Sequence, residues 1–219
     1  MIRIRGLCKT FVLHNQGGAE LPVLRNVCLD VDPGECVALD GASGIGKSTL
    51  LKCIYGNYRV SSGSVLVNGS EVAGATAQSL LRLRSEIVGY VSQFLRVIPR
   101  VPAIDIVAEA AEREADARHL AEQMLLRLRI PMRLWGVPPA TFSGGEQQRV
   151  NLARTFIRPK PLLLLDEPTA ALDTANRITV VSLINEARAA GAAILGVFHD
   201  FKMRDAVATR VVDLAACAP

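Results

Sequence analysis

Cys36-Val37-Ala38-Leu39-Asp40-Gly41-Ala42-Ser43-Gly44-Ile45-Gly46-Lys47-Ser48-Thr49 decides the fold. A short apolar run leads into a glycine-rich turn of the form GxxxxGK[ST], and the turn opens a helix. In such a turn successive backbone N–H groups converge on an anion, and the positive end of the helix dipole favours the same charge. Glycine permits both the turn and the close approach. The expectation is a phosphate cradle formed by Gly41, Ala42, Ser43, Gly44, Ile45 and Gly46. Lys47 then addresses the β and γ phosphates, Ser48 a Mg2+ ion, and Thr49 the α phosphate. A glycine-rich turn with an exposed lysine is the plainer alternative, and the flanking strand and helix argue against it.

Working outward, Leu162–Leu165 and Ala193–Phe198 are also short continuous apolar runs, as parallel strands covered on both faces require. Ile2, Ile4 and Leu7, then Val23 to Val31, alternate around Asn15-Gln16-Gly17-Gly18 and predict antiparallel strands. Between Ala103 and Ile130, Leu120, Met124 and Leu128 recur at four-residue steps and predict a helical insert over about 94–157. Further helices are expected from Ser143-Gly144-Gly145 to about Ile157 and from Thr174 to Ala190. The fold class is α/β, with a parallel core sheet, an antiparallel β subdomain and an α-helical subdomain. With 219 residues, half of them apolar, one domain over 1–219 is expected.

Leu162-Leu163-Leu164-Leu165-Asp166-Glu167 is an apolar strand closing on two acids, which the cradle topology carries to the same sheet edge. Asp166 is expected to hold Mg2+ through its water shell and Glu167 to act as general base on a water. Two solvated acids on a surface turn would fit the buried run poorly.

Ser143-Gly144-Gly145-Glu146-Gln147, about 20 residues before Asp166, resembles the signature motif of ATP-binding cassette (ABC) ATPases. The resemblance implies that Ser143, Gly144, Gly145 and Glu146 reach the γ phosphate bound by an opposing cassette, so that two ATP molecules lie in a head-to-tail dimer. The opposing cassette is either a second copy or a sister subunit. It further implies roles for Gln93 (Mg2+ and water), His199 (γ phosphate and water), Asp173 (the cross-dimer loop, with Ala171 where many members have serine) and Phe11 (stacking on adenine). ATP and Mg2+ are the implied cofactors. A lone phenylalanine near an edge sheet is as often core.

Within that family, Lys9–His14, Leu21–Leu24, Val91–Arg100, Leu134-Trp135-Gly136 and Thr141–Asn151 resemble the PhnL family, the L subunits of the bacterial carbon–phosphorus lyase system. That resemblance implies soluble lyase subunits as partners, and support for a step in which a phosphonate displaces adenine from ATP to give ribose methylphosphonate triphosphate. The alternatives are the nucleotide-binding subunit of an ABC membrane transporter and a scaffold that binds ATP without turnover. Arg96, Arg100, Arg113, Arg118, Arg127, Arg129 and Arg133 form either a docking face or a solvated helical face.

A net charge of +4 without long charge runs gives no footprint for nucleic acid. The five cysteines, Cys8, Cys28, Cys36, Cys53 and Cys217, are odd in number and lack metal spacing, so reduced thiols in a cytoplasmic protein are expected. The start lacks the continuous apolar core of an export signal, and the longest apolar runs fall short of the ~20 residues a membrane-spanning helix needs. No direct membrane insertion is expected, and any membrane contact would go through a partner.

Overall fold

The computed structural model describes residues 1–13, 17–93, 100–112 and 114–215. Five parallel strands form the central sheet in the order β6 (Val88–Val91), β7 (Leu162–Asp166), β8 (Ala193–Val197), β3 (Cys36–Asp40) and β9 (Arg210–Asp213). A second, antiparallel sheet runs β2 (Ala19–Val31), β1 (Ile2–Leu13), β4 (Ser62–Val67) and β5 (Ser70–Glu71). The α/β class with both sheets is therefore as the sequence predicts.

The continuous apolar runs are explained by two cores, one on each face of the parallel sheet. Side chains alternate between them: Leu162 and Leu164 of β7 enter the core shared with the antiparallel sheet, while Leu163 and Leu165 enter the core shared with the later helices. Val37 and Leu39 against Cys36 and Ala38 do the same in β3. Helix α1 (Lys47–Ile54) buries Leu50, Leu51, Cys53 and Ile54 in the first core, and α2 (Ala77–Glu86) adds Leu83. Helices α3 (Ala103–Glu109), α4 (Ala117–Arg127), α5 (Gly144–Phe156), α6 (Thr174–Ala189) and α7 (Phe201–Val207) fill the second.

The helical region holds α3 and α4, with α3 closed by Ala110 and Ala111 N–H groups donating to the Val107 and Ala108 carbonyls. One expectation needs refinement. The buried stripe of α4 is Ala121 and Leu125, continued by Leu128, with Leu120 and Met124 only half-buried, because the helix presents the face one position further round. The hairpin residues Asn15 and Gln16, the stretch 94–99 with Arg96, and Arg113 and Cys217 lie outside the described residues.

Candidate functional site

All strands of the central sheet point the same way, so the segments leaving β6, β7, β8 and β3 emerge along one edge. They carry, in that spatial order, Gln93, the Asp166–Glu167 pair, His199 and the Gly41–Thr49 turn. In the turn, Gly41, Gly44 and Gly46 have φ of 129°, 81° and 111°, a region side chains strain to reach. At Gly46 a Cβ would also lie 2.8 Å from Leu24 and 3.2 Å from the Val23 carbonyl, so this position is fixed as glycine twice over. Lys47 lies in the turn's interior, its Nζ donating to the carbonyls of Gly41 (2.6 Å) and Ala42 (3.0 Å).

Ser48, in the first turn of α1, donates its hydroxyl to Asp166 Oδ1 at 2.8 Å, joining the cradle to the end of β7. Tyr90 donates its O–H to the other oxygen at 3.3 Å. Asp166 is only 2% exposed, and burial holds its carboxyl above the usual range despite these donors. Burial and the neighbouring Asp166 likewise push the Tyr90 phenol up. A desolvated acid beside a serine hydroxyl and a lysine-bearing glycine turn is a donor set suited to a hydrated divalent cation and phosphate oxygens.

Glu167 follows with φ +52°, a left-handed conformation costing on the order of 1 kcal/mol for a residue with a Cβ. Its N–H is held by the Val197 carbonyl at 3.1 Å, which fixes the bend at the strand end. The side chain then meets both neighbouring loops: Gln93 Nε2 donates to Oε2 at 3.2 Å, and His199 Nε2 lies 2.8 Å from Oε1. Gln93, Glu167 and His199, scattered over more than a hundred residues of sequence, thus form one cluster.

Ser143 caps α5 in a capping box: Glu146 N–H donates to its Oγ, and Ser143 N–H and Oγ–H donate to the Glu146 carboxylate. These bonds, the Ser143 hydroxyl foremost, hold the Glu146 carboxyl below its ordinary value. Gly145 has another reason for being glycine, since a Cβ there would lie 2.7 Å from the Ala171 carbonyl oxygen. Ala171 belongs to the loop between Glu167 and Asp173, so the start of α5 rests directly on that loop. Asp173 caps α6, accepting from Asn176 N at 2.8 Å and from its side-chain amide. Phe11 sits on β1 with its ring edge-on to Tyr58 and under the Lys9 ammonium at 4.5 Å.

Polar side chains on one face of α5 carry a connection that sequence reading left unassigned. Buried Gln148 donates to the Pro168 carbonyl (3.2 Å), Asn151 to the Ser92 carbonyl (2.9 Å), and Thr155 to the Tyr90 carbonyl (3.5 Å). The signal was available, for polar residues at 148, 151 and 155 share the face of a helix that also carries Val150, Leu152 and Ala153 in the core. Of the arginines, Arg118 pairs with Asp105 (3.2 Å) and Arg127 with Glu186. Burial pushes the Cys36 and Cys53 thiols up to about 12 and about 11, keeping both as thiols.

A family model described as ABC transporter matches residues 24–170, two-thirds of the chain. The chain belongs to the ATP-binding cassette family. The lipoprotein-releasing system ATP-binding protein LolD of Idiomarina loihiensis is 34% identical over 210 residues, covering 94% of this cassette and 90% of LolD. The macrolide export ATP-binding/permease protein MacB of Agrobacterium fabrum is 35% identical over 219 residues, covering 98% of this cassette and 33% of MacB. The cassette thus spans about a third of the length of its MacB relatives. Among solved structures, the dimeric post-hydrolysis state of the ATP-binding cassette MJ0796, bound to ADP and Pi, superimposes with a TM-score of 0.88 at 27% identity, covering 98% and 95% of the two chains. The fold and the ATPase family are therefore shown, whereas LolD and MacB belong to lipoprotein release and macrolide export and do not point to the carbon–phosphorus lyase system. Among the described residues no helix is long and apolar enough to cross a membrane.

Proposed function

We propose that the cassette binds MgATP in the Gly41–Thr49 turn and hydrolyses it only when the signature segment of a second cassette closes over the nucleotide. The observation that carries this reading is the Glu167 carboxylate held between Gln93 and His199, one residue beyond a buried acid tied to the cradle serine. Lys47 and the turn's N–H groups bind the phosphates, and Thr49 contacts the α phosphate. Ser48, Asp166 and Gln93 hold Mg2+, which when bound offsets phosphate charge as bond breaking proceeds. Glu167 accepts the proton of the attacking water, and His199 and Gln93 orient that water and the carboxylate. Ser143, Gly144, Gly145 and Glu146 serve the opposing nucleotide, Asp173 lies in the loop between the two sites, and Phe11 stacks on adenine.

The kinship with LolD and with the ATP-binding part of MacB supports a further step: the clamp drives a membrane-embedded partner, as the nucleotide-binding subunit of a transporter. A second reading, a cassette of the carbon–phosphorus lyase system acting with soluble subunits toward ribose methylphosphonate triphosphate, is favoured by the segments Lys9–His14, Leu134-Trp135-Gly136 and Val91–Arg100. Purification of the tagged chain from its host with MgATP separates them. Recovery with an integral membrane protein supports the transporter reading, and recovery with soluble lyase subunits in its place overturns it.

A further inference from the structure

A wide, largely apolar cleft lies beside His199, between α6 and α7. It encloses about 740 Å³ and is walled by Ile178 and Val181 on one side and Phe201 and Met203 on the other. Ile178 is 67% exposed and Phe201 65%. Among the charged groups near its rim, Arg177 pairs with Asp200 at 2.9 Å and Arg204 lies over the Phe201 ring at 4.7 Å, while Lys202 also lines it. What faces outward is chiefly apolar, and such a patch on an otherwise well-packed chain marks a contact surface.

Symmetry says what covers it. In one chain the loop 168–173 stands between two halves of the chemistry, touching the start of α5 through Ala171 and Gly145 and beginning at Glu167. If each signature segment closes on the other chain's cradle, the two-fold axis passes between a chain's own cradle and its own signature, where this loop lies. Residues next to a two-fold axis meet their own copies. The residues that follow the loop are the first turns of α6, with Ile178, and Phe201 faces them across the cleft.

Resting on the head-to-tail reading above, we infer that the Ile178–Phe201 cleft is a self-complementary apolar contact, covered by the same patch of a second copy when the clamp closes. A handful of side chains falls far short of the roughly 1,200 Å² that a specific interface buries, so the patch suits an extension of a larger interface better than an independent docking site. Its continuity with His199 places that contact on the nucleotide-dependent face. Closing it would shield the rim of the cleft beside the histidine.

The test uses the full chain carrying Glu167→Gln, with dimerisation by MgATP followed by sedimentation. Adding Ile178→Glu and Phe201→Glu is expected to raise the protein concentration for half-dimerisation at least about tenfold, while each monomer still binds ATP, which reports an intact fold. Because like charges would then face each other, mixing these chains with chains bearing Ile178→Lys and Phe201→Lys should restore dimers. Glu variants that dimerise like the parent, or a mixture no better than either component, overturn the inference while leaving the clamp intact. A parent that stays monomeric with ATP bound overturns the clamp reading and this contact together.

Discussion

Asp166 and Glu167 are adjacent acids in opposite circumstances. Asp166 is buried with its carboxyl raised by desolvation, so the ionised form is disfavoured in the folded chain relative to the unfolded one. The sign follows by linkage: the folded state binds this proton more tightly, so the group's contribution to stability declines as pH rises from the unfolded carboxylate range through the raised folded value. Asp166→Asn is therefore expected to raise the melting temperature of the nucleotide-free chain at neutral pH. It should also abolish further stabilisation by MgATP relative to ATP without the metal; calorimetry with and without Mg2+ reads both. Glu167 is the proposed base, so Glu167→Gln should lower steady-state ATP turnover by at least about 10²-fold with nucleotide binding retained. Turnover within a few-fold of the parent would remove Glu167 from that role.

Among the elements, α5 connects the Ser143–Gln147 segment to the loops that carry Gln93 and Glu167. Its start rests on the Ala171 carbonyl, and its polar face bonds to carbonyls at Tyr90, Ser92 and Pro168. Gly145→Ala tests the first contact. Alanine favours a helix over glycine by roughly 0.5–1 kcal/mol, but the new methyl would stand 2.7 Å from a backbone oxygen, and overpacking of that kind costs roughly 1–3 kcal/mol. Net destabilisation of ~1 kcal/mol is expected, together with loss of ATP turnover but not of ATP binding, because the cradle lies on other elements. Denaturant unfolding and equilibrium nucleotide binding measure the two parts separately.

The cradle, the β7 strand with its acids, and the two-sided burial of β3, β7 and β8 were legible because each is written in consecutive residues. The end of α3 at Glu109 was not, since Ala110-Ala111-Glu112 carries neither glycine nor proline to announce it. Of Leu120, Met124 and Leu128 only Leu128 is fully buried, because tertiary packing, which local apolarity does not reveal, turns Ala121 and Leu125 to the core. Nor could the Gln93–Glu167–His199 cluster be derived from local pattern, for its geometry depends on a left-handed bend at Glu167 and on the sheet order.

In the whole molecule, on the proposed reading, one chain holds only halves of two catalytic sites: a cradle at Gly41–Thr49, and elsewhere the Ser143–Gln147 segment, whose Ser143 is engaged with its own capping glutamate. Dilution should then lower ATP turnover per chain, because the active species is a dimer whose population falls with concentration. The most direct measurement is the mass of the Glu167→Gln protein with and without MgATP. A single 23.5 kDa chain is expected without nucleotide, a species of twice that mass holding two ATP molecules at saturating MgATP, and reversion to a monomer that still binds ATP when Ser143→Arg is added. A Glu167→Gln protein that binds MgATP to saturation and stays monomeric across the measurable concentration range would contradict this reading.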